Sequence, residues 1–396
     1  MIRRKVLKNG MTVIFKERKN GVVSVAFAVR QGGRNEFSKD KSISHFIEHM
    51  LYKGTPTRDT QKIAQEIEKN GGEMNGFTAE QLTAYWCKMP SKHLDIALEV
   101  LSDMVKNPLF DEKELDKERQ VIFEEMKMYQ DNPRMHVFNK IKSLLYDGDF
   151  AESIIGTRES MNSNTRDKLK EFFDRIYVPE NMILAVVGET DFDKLCNFVE
   201  NSFEKKKGKL EIPKIKLRNG TKIEKRKGID QANIVFAYHA PLPKDKNFYA
   251  AHILSVLMAG GLSSRLFSEI REKRNLAYAV KGSTEAEVDF AYNLIYIGTT
   301  PENVQQVKEL ILKEFEKVAK SLDEDELNQV KEQIIGNYLI SQEDSYNLLM
   351  NMLTEEMRGD AKEIENFIEN VKSVKLSDVK KLAKVKNYSF FALVPE

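Results

Sequence analysis

The 396-residue chain is poor in the residues that most often carry chemistry: two cysteines, six histidines and one tryptophan. Cys87 and Cys196 lie far apart and no CxxC occurs, which excludes a thiolate metal site and a disulfide framework; a reducing compartment fits. Long apolar runs are missing too, and none approaches the ~20 residues of a membrane-spanning helix. The basic start, MIRRKVLKNG, lacks the apolar centre of a secretion signal, so it is expected to form a strand and a turn, with the cytoplasm as the expected location. Neither sign of charge dominates: 62 Lys plus Arg face 61 Asp plus Glu. That balance removes the electrostatic case for nucleic acid or an anionic membrane as partner.

What is present suits a globular chain. Apolar residues make up 41% and charged residues of mixed sign 31%, and the length favours two domains. Asn9-Gly10 and Asn20-Gly21 mark turns between short strands at 5–7, 12–16 and 22–29. A helix is expected around 42–52, stopped by Gly54 and Pro56, and a second over 60–70, ended by Gly71-Gly72. A strand pair over 74–89 follows, then amphipathic helices at 91–106 and 111–130, a buried strand at 182–188 and a helix at 192–204. The lysine- and glycine-rich stretch 205–228 reads as a linker. Beyond it the pattern repeats: NPLFDEKELDKERQVIFEEM (107–126) is echoed by KSLDEDELNQVKEQIIGNY (320–338), each after alternating strands and a long helix. The expected class is α+β, with two homologous domains (1–204 and 229–396), each a largely antiparallel sheet packed with helices.

Two of the six histidines stand four apart in HFIEH, residues 45–49. On a helix i and i+4 share a face, so His45 and His49 present two imidazoles to one point, at a spacing suited to a single Zn²⁺. Glu48 projects beside that point and can act on a water without being a ligand; HxxEH is HExxH reversed. A chance pair of histidines on a helix surface is the competing reading. The repeat bears on it, because the corresponding AHILS (251–255) has no such cluster, and a purely structural role would more readily persist in both copies. A catalytic zinc needs a third protein ligand. Glu118 and Glu125 lie two turns apart on one face of the helix 111–130, with Glu124 about 100° away. Geometry leaves open which of Glu118 and Glu125 would bind metal and which would orient a histidine, and locally a solvated acidic face also fits.

HFIEHMLYKGT, NGGEMNGFTAEQLTAYWCKMP and ERQVIFEEM together resemble the insulinase/pitrilysin family of zinc peptidases, nearest to the processing-peptidase branch, and the resemblance extends over both halves. It implies one Zn²⁺ per chain on His45, His49 and Glu125, the last 76 residues beyond His49, with Glu118 accessory and Glu48 as general base. It implies that Asn75, Gly76, Phe77 and Thr78 form an edge strand to which peptide substrate adds as a further strand. In the second half, MAGGLSSRLFSEIREKRNLAYAV resembles the family's glycine-rich segment, Gly260 and Gly261, with a substrate-contacting Arg271 and Tyr278 and an aromatic wall at Phe267. The family also implies a homodimer closing as a clam-shell around peptide substrates, with Arg271 and Tyr278 serving the partner's zinc. Its non-catalytic members, core proteins of respiratory complexes with degraded metal motifs, supply the alternative function.

Overall fold

A computed structural model describes residues 1–396. The chain divides into two compact units. The first comprises residues 1–126, 152–214 and 341–365; the second comprises 127–151, 215–340 and 366–396.

The first unit is built on six strands: β1 (Ile2–Val6), β2 (Thr12–Glu17), β3 (Val22–Val29), β4 (Glu73–Thr78), β5 (Thr83–Pro90) and, beyond a short β6 (Tyr146–Asp147) of the other unit, β7 (Met182–Gly188). Their order is β1-β2-β7-β3-β5-β4, antiparallel except for the parallel β2–β7 pair. β3 (VVSVAFAV) and β7 (MILAVVG) are apolar on both faces because both are covered. The helix Leu94–Lys106 packs on β3 and β5, and the helix Ser345–Arg358 on β3 and β7. β4 closes one end of the sheet and pairs only with β5, so its other side is an open edge.

In the second unit β6 pairs with β8 (Lys216–Leu217). The main sheet holds β9 (Thr221–Arg226), β10 (Ala232–His239), β11 (Ala277–Ala286), β12 (Ala291–Thr299) and β13 (Ser389–Pro395) in the order β11-β12-β10-β13-β9. Again one pair, β9–β13, is parallel and the rest antiparallel. The helix Pro133–Leu145 packs on β10 and β13, and Phe248–Ala259 on β11 and β12. The α+β class with largely antiparallel sheets is as expected from sequence.

The boundaries need correction. Each unit takes one helix from the other half of the sequence: 341–365 joins the first sheet and 127–151 the second. Burial explains the first exchange. Leu348, Leu349, Met352 and Leu353 of the helix Ser345–Arg358 are buried, and its buried Glu356 receives hydrogen bonds from Arg4 at 2.7 and 2.9 Å and from Arg30 at 2.8 Å. The stretch 205–228 is not simply a linker either, since it contains β8 and β9. β9 is an edge strand with one apolar residue, Ile223, so it carries almost none of the alternation that marks a half-buried strand.

Candidate metal centre

The helix Ile43–Leu51 buries Ile43, Phe46, Ile47, Met50 and Leu51 completely, which fixes its rotation; Glu48 and His49 line a cleft, and His45 stands with His49 and Glu125. Its start is unusual. Ser42 precedes it at φ 72°, in the left-handed region, and its side chain makes no cap hydrogen bond. The Glu36 carboxylate caps instead, accepting from the backbone N–H of Ser42 at 3.0 Å and of Ser44 at 2.8 Å. Burial pushes the Glu36 carboxyl up, against the charge of Lys41 and these bonds. Lys41 is itself buried and donates to the Gly33 carbonyl at 2.6 Å.

The second element of the site is the helix Glu112–Asp131. It brings Glu125 Oε2 to 3.5 Å from His45 Nε2 and 3.7 Å from His49 Nε2. One ligand atom from each of the three residues lies within 4.8 Å of the others. Two turns earlier on the same face, Glu118 Oε2 stands 3.0 Å from His49 Nδ1, while Lys53 Nζ is 2.5 Å from Glu118 Oε1. Glu124 is exposed. The structure thus brings Glu125 to both imidazoles and Glu118 to the back of one of them.

Burial, then the charge of His49, lowers His45 to about 3, so its imidazole is neutral and a free donor. Burial raises Glu125, opposed only by His49. Burial also raises Glu48, opposed by a hydrogen bond from Thr78 and by His49. Glu118 is lowered: its burial acts upward, but hydrogen bonds from His49 and Lys53 outweigh it. His49 is raised, its burial outweighed by the Glu118 hydrogen bond and the surrounding carboxylates. The residues fit a zinc ion. Two imidazoles and one carboxylate are its usual catalytic donor set, and ligands at 2.0–2.2 Å in tetrahedral array stand about 3.4 Å apart, close to the observed N–O separations. A divalent cation would add to the counter-charge that His49 alone gives Glu125 and Glu48.

β4 forms the opposite wall. Thr78 Oγ1 donates to Glu48 Oε2 at 2.8 Å. Gly76 lies so close that an added Cβ would fall 2.7 Å from Tyr52 Oη and 3.3 Å from Glu48 Oε1. Asn75 turns its carbonyl oxygen to the Gly76 N–H at 2.8 Å and borders the cleft, while Phe77 is half-buried. The cleft measures about 600 Å³; Glu48, His49, Tyr52, Ile67, Met74 and Glu118 are among its lining.

The remaining expected site residues belong to the second unit. Gly260 and Gly261 follow the helix Phe248–Ala259, and a Cβ on Gly260 would stand 2.6 Å from Val256 Cα. Phe267–Glu272 forms a π-helical turn in which the Arg271 guanidinium sits 4.9 Å over the Phe267 ring. Phe267 is otherwise buried in the core of its unit. Tyr278 on β11 is 42% exposed and donates to the Thr299 carbonyl at 2.7 Å. Sequence reasoning missed Glu36, Lys53, Tyr52 and the bond from Thr78 to Glu48. Tyr52 and Lys53 carried a local signal, four residues beyond Glu48 and His49 respectively, in the turn that ends the helix.

Two similar α+β units, one of them bearing a histidine–histidine–glutamate cluster, define a two-domain chain with a candidate zinc site in its first half. Residues 12–158 match the family model "Insulinase (Peptidase family M16)" and residues 163–334 the model "Peptidase M16 inactive domain". The chain belongs to the insulinase (M16) peptidase family. It is 32% identical over 394 residues to an uncharacterized zinc protease of Bacillus subtilis, covering 97% of this chain and 95% of that protein. It is likewise 32% identical over 342 residues to an uncharacterized zinc protease of Rickettsia felis, 85% and 83% of the two chains. The fold matches a protease from Helicobacter pylori with a TM-score of 0.91 at 24% identity, over 100% of both chains. It also matches a Pseudomonas fluorescens structure described as a peptidase M16 inactive domain, with a TM-score of 0.90 at 18% identity, over 100% of this chain and 98% of that one. No helix is long and apolar enough to cross a membrane.

Proposed function

We propose that this chain is a zinc-dependent endopeptidase acting on peptides or unfolded segments. The observation that carries the reading is the convergence of His45, His49 and Glu125 on one point, with Glu48 of the same helix lining a cleft beside His49. Zn²⁺ held by those three residues would supply Lewis acidity toward water and the scissile carbonyl. Glu48 takes the proton of the attacking water and returns it to the leaving amine. Glu118 holds Nδ1 of His49, which turns Nε2 toward the cluster, and Lys53 holds Glu118 in turn. The open edge of β4, from Asn75 to Thr78, accepts substrate as an added strand. Arg271 and Tyr278 contact that substrate, and two chains form a homodimer in which each pair serves the partner's zinc.

Digestion of a mixed peptide library with mass readout tests the activity, with Glu48→Gln as the blank. Zinc-dependent cleavage by wild type alone supports it; cleavage that survives Glu48→Gln or metal removal sinks it, and no cleavage favours a non-catalytic assembly role. Subunit mixing tests the dimer. Glu48→Gln and Arg271→Ala/Tyr278→Phe homodimers are each expected to be nearly inactive. After exchange, random pairing restores about a quarter of wild-type activity. No recovery after demonstrated exchange would place the whole site within one chain.

A further inference from the structure

We infer that Thr78 is the positioning residue for Glu48, holding its carboxylate from the strand that borders the cleft; this rests on the peptidase reading above. Residues two apart on a strand face the same way, so Gly76 and Thr78 share the face that meets Glu48 of the helix Ile43–Leu51. The Thr78 hydroxyl meets Glu48 Oε2 at 2.8 Å, and Oε1 lies against Gly76, where a Cβ would come within 3.3 Å. The carboxylate thus sits in a notch made by the missing side chain at 76 and the hydroxyl at 78. A glutamate has three side-chain torsions, and an unheld one spreads over many rotamers at a cost to the reacting geometry. Thr78 itself is fixed by its pairing with Thr83 of β5, and the hairpin beyond is closed by the Ala79 N–H to the Leu82 carbonyl at 2.8 Å. The base is therefore held by the hairpin of β4 and β5 as well as by its own helix.

Thr78→Val removes the hydroxyl, keeps the shape and suits a strand. Zinc content, kcat and KM are measured for wild type, Glu48→Gln, Thr78→Val and Thr78→Ser on one peptide that wild type cleaves. Thr78→Val is expected to bind zinc like wild type, to keep KM within about twofold and to lose about 10- to 100-fold in kcat, the scale of a misplaced reacting group. Thr78→Ser, which restores the hydroxyl, is expected to recover most of that loss. Should the valine variant not fold, Thr78→Ala carries the same expectation. Full-speed turnover by Thr78→Val overturns the inference, as does a loss accompanied by equal loss of zinc, or one that serine does not rescue. An inactive wild type, or a Glu48→Gln enzyme as fast as wild type, overturns the peptidase reading and this inference with it.

Discussion

The two units are built to one plan and differ where chemistry would occur. Read from the open edge, β4-β5-β3-β7-β2 corresponds to β11-β12-β10-β13-β9, with the single parallel pair at the same place in both sheets. Ile43–Leu51 follows β3 as Phe248–Ala259 follows β10. The first helix carries His45, Glu48 and His49; the second buries Ala250, Ala251, Ile253, Leu254, Leu257 and Met258 and has no HxxEH. On the long helices, aligning Asp111 with Asp323 places Val330 opposite Glu118 and Asn337 opposite Glu125. Val330 is a core residue of its unit. The plan therefore folds without the cluster. Glu48 and Glu125 are placed where burial disfavours their charge, a cost the second unit avoids. The positions of the second unit that correspond to Glu48 and Glu125 hold no carboxylate and bear no such cost, which makes the first unit the one to test for a bound metal.

The largest expected effect lies at the residue the second unit lacks altogether. Glu48→Gln should lower kcat about 10³-fold, in the range for loss of a general base, while zinc content stays at the wild-type level. Next is the proposed third ligand. Glu125→Gln should weaken zinc binding by more than about 100-fold in chelator competition, Glu124→Gln should leave it unchanged, and Asn337→Glu should not create a site in the second unit. Equal effects at 124 and 125 would mean that the cluster does not hold the metal. A third test concerns the helix exchange. Glu356→Ala leaves Arg4 and Arg30 without their buried acceptor and should destabilise the protein by about 3 kcal/mol in denaturant unfolding, the low end for a broken buried pair because both arginines are partly exposed. An unchanged midpoint would show that this helix docks by apolar contact alone. Smallest is Glu118→Gln, which keeps the ligands but loosens His49. A 10- to 100-fold loss of zinc affinity is expected by the same competition, and a loss as large as that of Glu125→Gln would give Glu118 a ligand's place.

Much of this was legible in the sequence because it is local or periodic. β3 and β7 are runs of buried apolar residues whose limits match the expected ranges, and the histidine helix differs by one residue at each end. His45 and His49 could be paired from their spacing alone. Choosing Glu125 over Glu118 needed the family resemblance, since both lie on one helical face. What escaped depends on contacts distant in sequence. The helix Ser345–Arg358 looks like any amphipathic helix until Glu356 is seen with Arg4 and Arg30, over 300 residues away. Glu36 caps a helix from a preceding loop, and Thr78 meets Glu48 across 30 residues. β9 escaped because an exposed edge strand needs no alternation.

The claim that the first unit alone carries a metal centre is tested most directly by zinc titration of the metal-stripped wild-type chain, beside a His45→Ala/His49→Ala variant. One tightly bound zinc per wild-type chain and none in the variant is the expected result. No tight zinc in wild type, or a zinc that remains after both histidines are gone, would contradict it.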